Sequence, residues 1–121
     1  MNIDDIKVDI IYKNEVGASF RMKYTEPSSS FHDRINIVFN NTVLHLNKVE
    51  LHTFTDDIKQ SLENYKHCGY EDSKDCKSIF LETPFPQVNY CMSYEDLLLI
   101  DDLVSTTNFY LSLDHMMKDL L

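Results

Sequence analysis

The stretch Ile35-Asn36-Ile37-Val38-Phe39-Asn40-Asn41-Thr42-Val43-Leu44-His45-Leu46 decides the fold. Two apolar-rich runs flank a pair of asparagines. A two-residue type I′ turn needs positive φ at both central positions, and asparagine tolerates it. A turn at Asn40-Asn41 sets Phe39 opposite Thr42, Ile37 opposite Leu44 and Ile35 opposite Leu46. Opposed residues share a sheet face, so Ile35, Ile37, Phe39, Leu44 and Leu46 gather on one side. Asn36 and His45 then meet on the other side, beside Val38 and Val43.

A helix follows immediately. Asn47 and Glu50 form a capping box, and Leu51, Phe54, Ile58 and Leu62 step by three and four along one face. This helix is expected to end near residues 66–69. Upstream, Val8, Ile10 and Tyr12 alternate, then Ala18, Phe20, Met22 and Tyr24, with residues 13–17 between them. That pattern predicts an N-terminal antiparallel hairpin on which Arg21 and Lys23 point away from the apolar side. Residues 26–30, Glu-Pro-Ser-Ser-Ser, read as a surface loop, as do the polar residues 67–77.

Strand character returns at residues 78–83, is interrupted by Pro84-Phe85-Pro86-Gln87, and resumes at residues 88–92. Ser93 and Asp96 then cap a second helix whose stripe is Leu97, Ile100 and Val104. Shifted by 46 positions, Ile35 falls on Leu81, Leu46 on Met92, Asn47 on Ser93, Leu51 on Leu97 and Phe54 on Ile100. A ββα-ββα repeat packed as one sheet is the expectation, and independent patterning of two ββα units fits the same residues. In the tail, Ser105-Thr106-Thr107-Asn108 is a poor helix interior. Two readings stay open there, one helix from Tyr94 onward or a new one capped by Asn108.

The expected architecture is one α+β domain over residues 1–121, with about six short antiparallel strands and two or three helices on one face. Its parts are an N-terminal hairpin (1–25), a first ββα unit (34–66), a second (78–104) and a helical tail (105–121).

Composition bounds the function. The chain has 121 residues, 43% hydrophobic, with only 2 Gly, which excludes a disordered or Gly-rich phosphate-binding chain. The net charge is -9, and residues 61–121 hold eleven acidic side chains against four basic. Such a surface repels phosphate, so neither nucleic acid nor an anionic membrane is an expected partner. A basic protein partner is compatible with it. The longest apolar run is residues 97–100, far short of a membrane span. An acidic start and three cysteines without a C-x-x-C pair point to a reduced, cytoplasmic chain.

Candidate chemistry is sparse. His67, Cys68 and Cys76 resemble metal ligands, but their spacing lacks the paired turns of a zinc site. The five histidines (32, 45, 52, 67 and 115) lie in no H-E-x-x-H motif, and no G-x-S-x-G elbow is present. His45 and His52 are the pair that a strand followed by a helix would bring together. Asp56-Asp57 and Asp101-Asp102 are adjacent on helices, so their carboxylates diverge. No catalytic residue, metal or cofactor is therefore assigned. Aromatics and methionines enrich interface centres, and Tyr94, Phe109, Tyr110, Met116, Met117 and Leu120 form the expected interaction surface. The expected function is a non-catalytic protein-interaction or regulatory module that self-associates as a homo-oligomer. The alternatives are an acidic inhibitor, immunity or chaperone-like protein, and a small ligand-binding protein or enzyme with a sheet–helix pocket.

Over residues 34–104 the chain resembles a small bacterial family known only as a domain of unknown function. The resemblance rests on the strand at residues 35–41, the capped helix at 47–62, Thr83-Pro84 and the helix start at Ser93–Leu97. Members of that family often carry a cysteine pair ahead of the first strand, whereas the first cysteine here is Cys68. The family has no assigned activity, so the resemblance implies none.

Overall fold

The structure, a computed structural model, describes residues 6–24, 34–68 and 79–120. Six strands and two helices follow in the order β1 (Ile6–Lys13), β2 (Gly17–Tyr24), β3 (Ile35–Phe39), β4 (Thr42–Leu46), α1 (Lys48–Cys68), β5 (Ile79–Glu82), β6 (Asn89–Met92) and α2 (Tyr94–Leu120). The fold is α+β. The strands form a four-stranded antiparallel sheet, β1-β2-β3-β4, and a separate two-stranded sheet, β5-β6. The loop expected at residues 26–30 lies outside the described residues, as does most of that expected at 67–77.

The asparagine turn forms as its chemistry requires. Asn40 and Asn41 have φ of 50° and 60°, and β3 meets β4 in the register Ile35–Leu46, Ile37–Leu44 and Phe39–Thr42. On one sheet face Ile35, Ile37, Phe39, Leu44 and Leu46 are buried, together with Leu51, Phe54 and Ile58 of α1. Leu81, Met92, Leu97, Ile100, Leu103 and Val104 complete this core. Each such side chain contributes about 1.5–3 kcal/mol on burial. At the other end of β2, Gly17 is required by close approach, since a Cβ there would sit 1.9 Å from the Val38 carbonyl oxygen.

Both helix starts carry their caps. The Glu50 amide donates to Asn47 Oδ1 at 2.8 Å, while the Asn47 amide donates to Glu50 Oε1 at 3.0 Å. Ser93 Oγ accepts the Asp96 amide at 3.2 Å.

Two expectations are corrected and one open question is settled. First, the two ββα units do not share a sheet. Thr83 Oγ1 ties the proline-containing link by donating to the Val88 carbonyl at 2.7 Å and accepting the Phe85 amide at 3.1 Å, and β5 lies against α1 rather than joining the larger sheet. Second, a β-bulge interrupts β1. Ile10 pairs with Phe20 but Tyr12 pairs with Ser19, leaving Ile11 as the extra residue. Tyr12 therefore turns toward the helices, whereas Val8 and Ile10 stay on the open face, 57% and 59% exposed. Arg21, expected to point away from the apolar side of the hairpin, faces α2, as does Ser19.

Third, α2 is one unbroken helix of 27 residues, which closes the question left open for the tail. Its poor helix formers are occupied. A hydroxyl has one hydrogen, so Thr107 donates to the Leu103 carbonyl at 2.6 Å and accepts from Ser19 at 2.6 Å. Asn108 Nδ2 donates to Thr55 Oγ1 of α1 at 2.9 Å and to the Val104 carbonyl at 3.1 Å. These residues fasten α2 to β2 on one side and to α1 on the other.

Candidate functional site

α2 carries a core-facing apolar side as far as Leu111 and a second apolar stripe over its last third. Residues repeat about every 100° around a helix. On that geometry Leu103, Val104, Thr107 and the partly buried Leu111 form the face against the core. Phe109, Leu113, Met116 and Leu120 fall on a second stripe, roughly opposite the first, and Tyr110 and Met117 lie along its border with the core face. All six are exposed, with Phe109 at 59%, Met116 and Met117 at 60% and Leu120 at 84%. One turn earlier the same side is polar, with Asp102, Ser105 and Thr106. The steps 109, 113, 116 and 120 are the four-three-four spacing of a helix-pairing seam.

Tyr94 does not belong to this stripe. It lies fifteen residues, about 22 Å, up the helix from Phe109, and it stacks on Tyr65 of α1 at a centroid distance of 4.4 Å.

The stripe is turned toward β1. Tyr12 Oη donates to Asp102 Oδ2 at 2.7 Å, and the Tyr12 ring lies 6.3 Å from that of Tyr110. Asn14 at the hairpin turn donates to the same carboxylate oxygen at 3.0 Å and to the Leu99 carbonyl at 2.8 Å. These donors, Asn14 first and then Tyr12, hold the Asp102 carboxyl below its ordinary value, and the same carboxylate raises the Tyr12 hydroxyl. Arg21 reaches Asp114 at 3.6 Å further along α2.

A second open apolar area is the outer face of the large sheet. Val8, Ile10 and Val43 are exposed there, with Phe20, Met22 and Val38 half-buried. Asn36 is buried on this face; its Nδ2 donates to the Phe20 carbonyl at 3.3 Å, and its Oδ1 is hydrogen-bonded to His45 Nδ1.

No family model matches the chain, and neither the curated proteins nor the solved structures yield a match. His45 and His52 do not meet: His45 sits on the open sheet face, and His52 pairs with Asp56 at 3.6 Å on the solvent side of α1. His115 pairs with Asp119 at 3.7 Å. Asp101 bonds Ser105 and Lys59, whereas Asp102 faces Tyr12 and Asn14, so the adjacent carboxylates diverge. Asp57, desolvated and close to Glu82 and Asp56, has its carboxyl raised. Burial likewise raises the Tyr90 hydroxyl. Cys76 and the side chains of His67 and Cys68 lie outside the described residues. Among the described residues, no three His, Cys, Asp or Glu side chains gather to hold a metal ion, and no helix is long and apolar enough to cross a membrane.

Sequence reasoning found the α2 stripe but missed the β1 edge beside it. The alternation of residues 7–12 was a sound signal for a strand, and it carries no information on which strand ends the sheet.

Proposed function

We propose that this domain is a non-catalytic interaction module that self-associates through the solvent-facing stripe of α2. The observation that supports it is the set of six exposed apolar side chains from Phe109 to Leu120, on the last third of a helix whose earlier turns are buried through Leu97, Ile100, Leu103, Val104 and Thr107. Contiguous apolar surface of this kind marks association sites in soluble proteins. Sedimentation of the full chain tests the reading. A dimer at micromolar concentration that becomes monomeric on Met116→Glu supports it, and a monomer throughout that range overturns it.

A second reading, an acidic inhibitor or chaperone-like protein masking a basic partner, draws on the net charge of -9 and on the acidic grouping of Asp56, Asp57 and Glu82. Such a complex would dissociate as salt rises, whereas association through the α2 stripe would persist.

A further inference from the structure

We infer that the second copy docks edge to edge, β1 against β1 and antiparallel, with the two-fold axis at Val8, so that the two sheets become one eight-stranded sheet above a pair of packed α2 helices. The inference rests on the self-association reading and specifies its geometry.

β1 ends the four-stranded sheet, and among the described residues no strand pairs with its outer edge. An eight-residue edge strand offers unpaired amides and carbonyls to a matching strand. The bulge at Ile11 confines the regular part of this edge to residues 6–10, whose midpoint is Val8. A two-fold through that residue uses the whole segment, pairing Ile6 with Ile10 of the second copy, Lys7 with Asp9, and Val8 with itself. Every unlike pair occurs twice, as a two-fold contact demands.

Charge selects this register. Within its own hairpin Lys7 stands opposite Lys23, and Asp9 opposite Arg21. Opposed like charges destabilise a sheet, while opposed unlike charges stabilise it. With the axis at Val8, each Lys7 gains an aspartate on its other side. Moving the axis by one residue would set Lys7 against Lys7 or Asp9 against Asp9. An axis at a residue, perpendicular to the sheet, also leaves both α2 helices on the same side.

The α2 stripe falls where that axis needs it. Ser19, paired with Tyr12, bonds Thr107, and Arg21, paired with Asp9, reaches Asp114. As β1 runs from Tyr12 back to Asp9, α2 runs forward from Thr107 to Asp114. One strand residue is about 3.3 Å and one helix residue about 1.5 Å, so the level of Val8 falls near Leu113 and Asp114 when counted from Thr107 and near Met116 when counted from Asp114, within the stripe either way. α2 packs beneath both β1 and β2. With strands about 4.8 Å apart, the two α2 axes would lie about 10 Å from each other, the spacing of packed helices. The seam from Phe109 to Leu120 is short alone. Joined to the strand edge, it builds toward the roughly 800 Å² per partner of a stable interface.

Charge reversal tests the register. Sedimentation equilibrium is run on the full chain, on Lys7→Asp, on Asp9→Lys and on the double variant carrying both. Each single variant opposes like charges twice and should weaken the dimer by roughly tenfold or more. The double variant restores unlike pairs and should return to within about threefold of wild type on the same scale. A double variant no tighter than the singles, or singles that dimerise like wild type, would overturn the register. Lys7→Asp places an acid opposite Lys23, so it keeps the hairpin intact and carries the test alone if Asp9→Lys fails to fold. A wild-type dimer broken by Met116→Glu but indifferent to both charge changes would retire the β1 pairing and leave the broader reading standing. A wild-type monomer would retire both.

Discussion

The buried Ser19–Thr107 contact is the sharpest place to test how α2 stays whole. Both residues are fully buried, and the relay runs from the Ser19 hydroxyl to Thr107 Oγ1 and on to the Leu103 carbonyl. Thr107→Val keeps the shape and removes the acceptor. The Ser19 hydroxyl is then left with the Tyr12 carbonyl at 3.4 Å, a distance at which a hydroxyl bond is weak. A buried donor without a good partner costs about 1–3 kcal/mol, so the expected loss is about 2 kcal/mol. Ser19→Ala leaves Thr107 its bond to Leu103 and should cost about 1 kcal/mol. With both groups apolar no donor is stranded, so the double variant should lose less than the sum, with a coupling of about 1–2 kcal/mol. Urea unfolding of the four proteins, read as midpoint and slope, gives the cycle directly. A Thr107→Val protein as stable as wild type, or strictly additive losses, would refute the relay.

Two further predictions follow from the turn and from Asp102. Asn41→Ala places a Cβ-bearing residue with no side-chain amide at φ 60° and should cost about 1 kcal/mol, whereas Asn41→Gly should be neutral or slightly stabilising in the same urea assay. The Asp102 carboxyl is lowered from 3.8 by its bonds from Asn14 and Tyr12, so its contribution is present above that value and is lost as pH falls through the lower folded-state value. Urea midpoints measured down through that acid window should drop more steeply for wild type than for Asp102→Asn, and parallel curves would contradict the assignment.

Legibility in the sequence followed the range of the interactions involved. The β3–β4 register was readable because its determinants, Asn40-Asn41 and the alternation on either side, lie within twelve residues of one another. Both helix starts were readable because Asn47 with Glu50 and Ser93 with Asp96 act over three residues. The bulge at Ile11 was not, since one inserted residue leaves local alternation intact and shows only against its pairing partner in β2. The unbroken course of α2 was hidden for a related reason. Thr107 finds Ser19 88 positions away and Asn108 finds Thr55 53 positions away, and no local propensity records those partners. The candidate surface was drawn by residue type, which gathers Phe109, Tyr110, Met116, Met117 and Leu120 on the exposed end of α2 but also takes in Tyr94, which stacks on Tyr65.

Cysteine cross-linking at the proposed axis tests the account most directly. In a chain whose Cys68, Cys76 and Cys91 are replaced by serine, Val8→Cys would place two thiols on strands whose opposed Cα atoms are about 4.5–5.5 Å apart, within disulfide reach. Val43→Cys, on the opposite edge strand β4, serves as the reference. Under mild oxidation Val8→Cys is expected to give rapid covalent dimer and Val43→Cys little. Equal rates for the two, or no linkage through Val8→Cys, would contradict it.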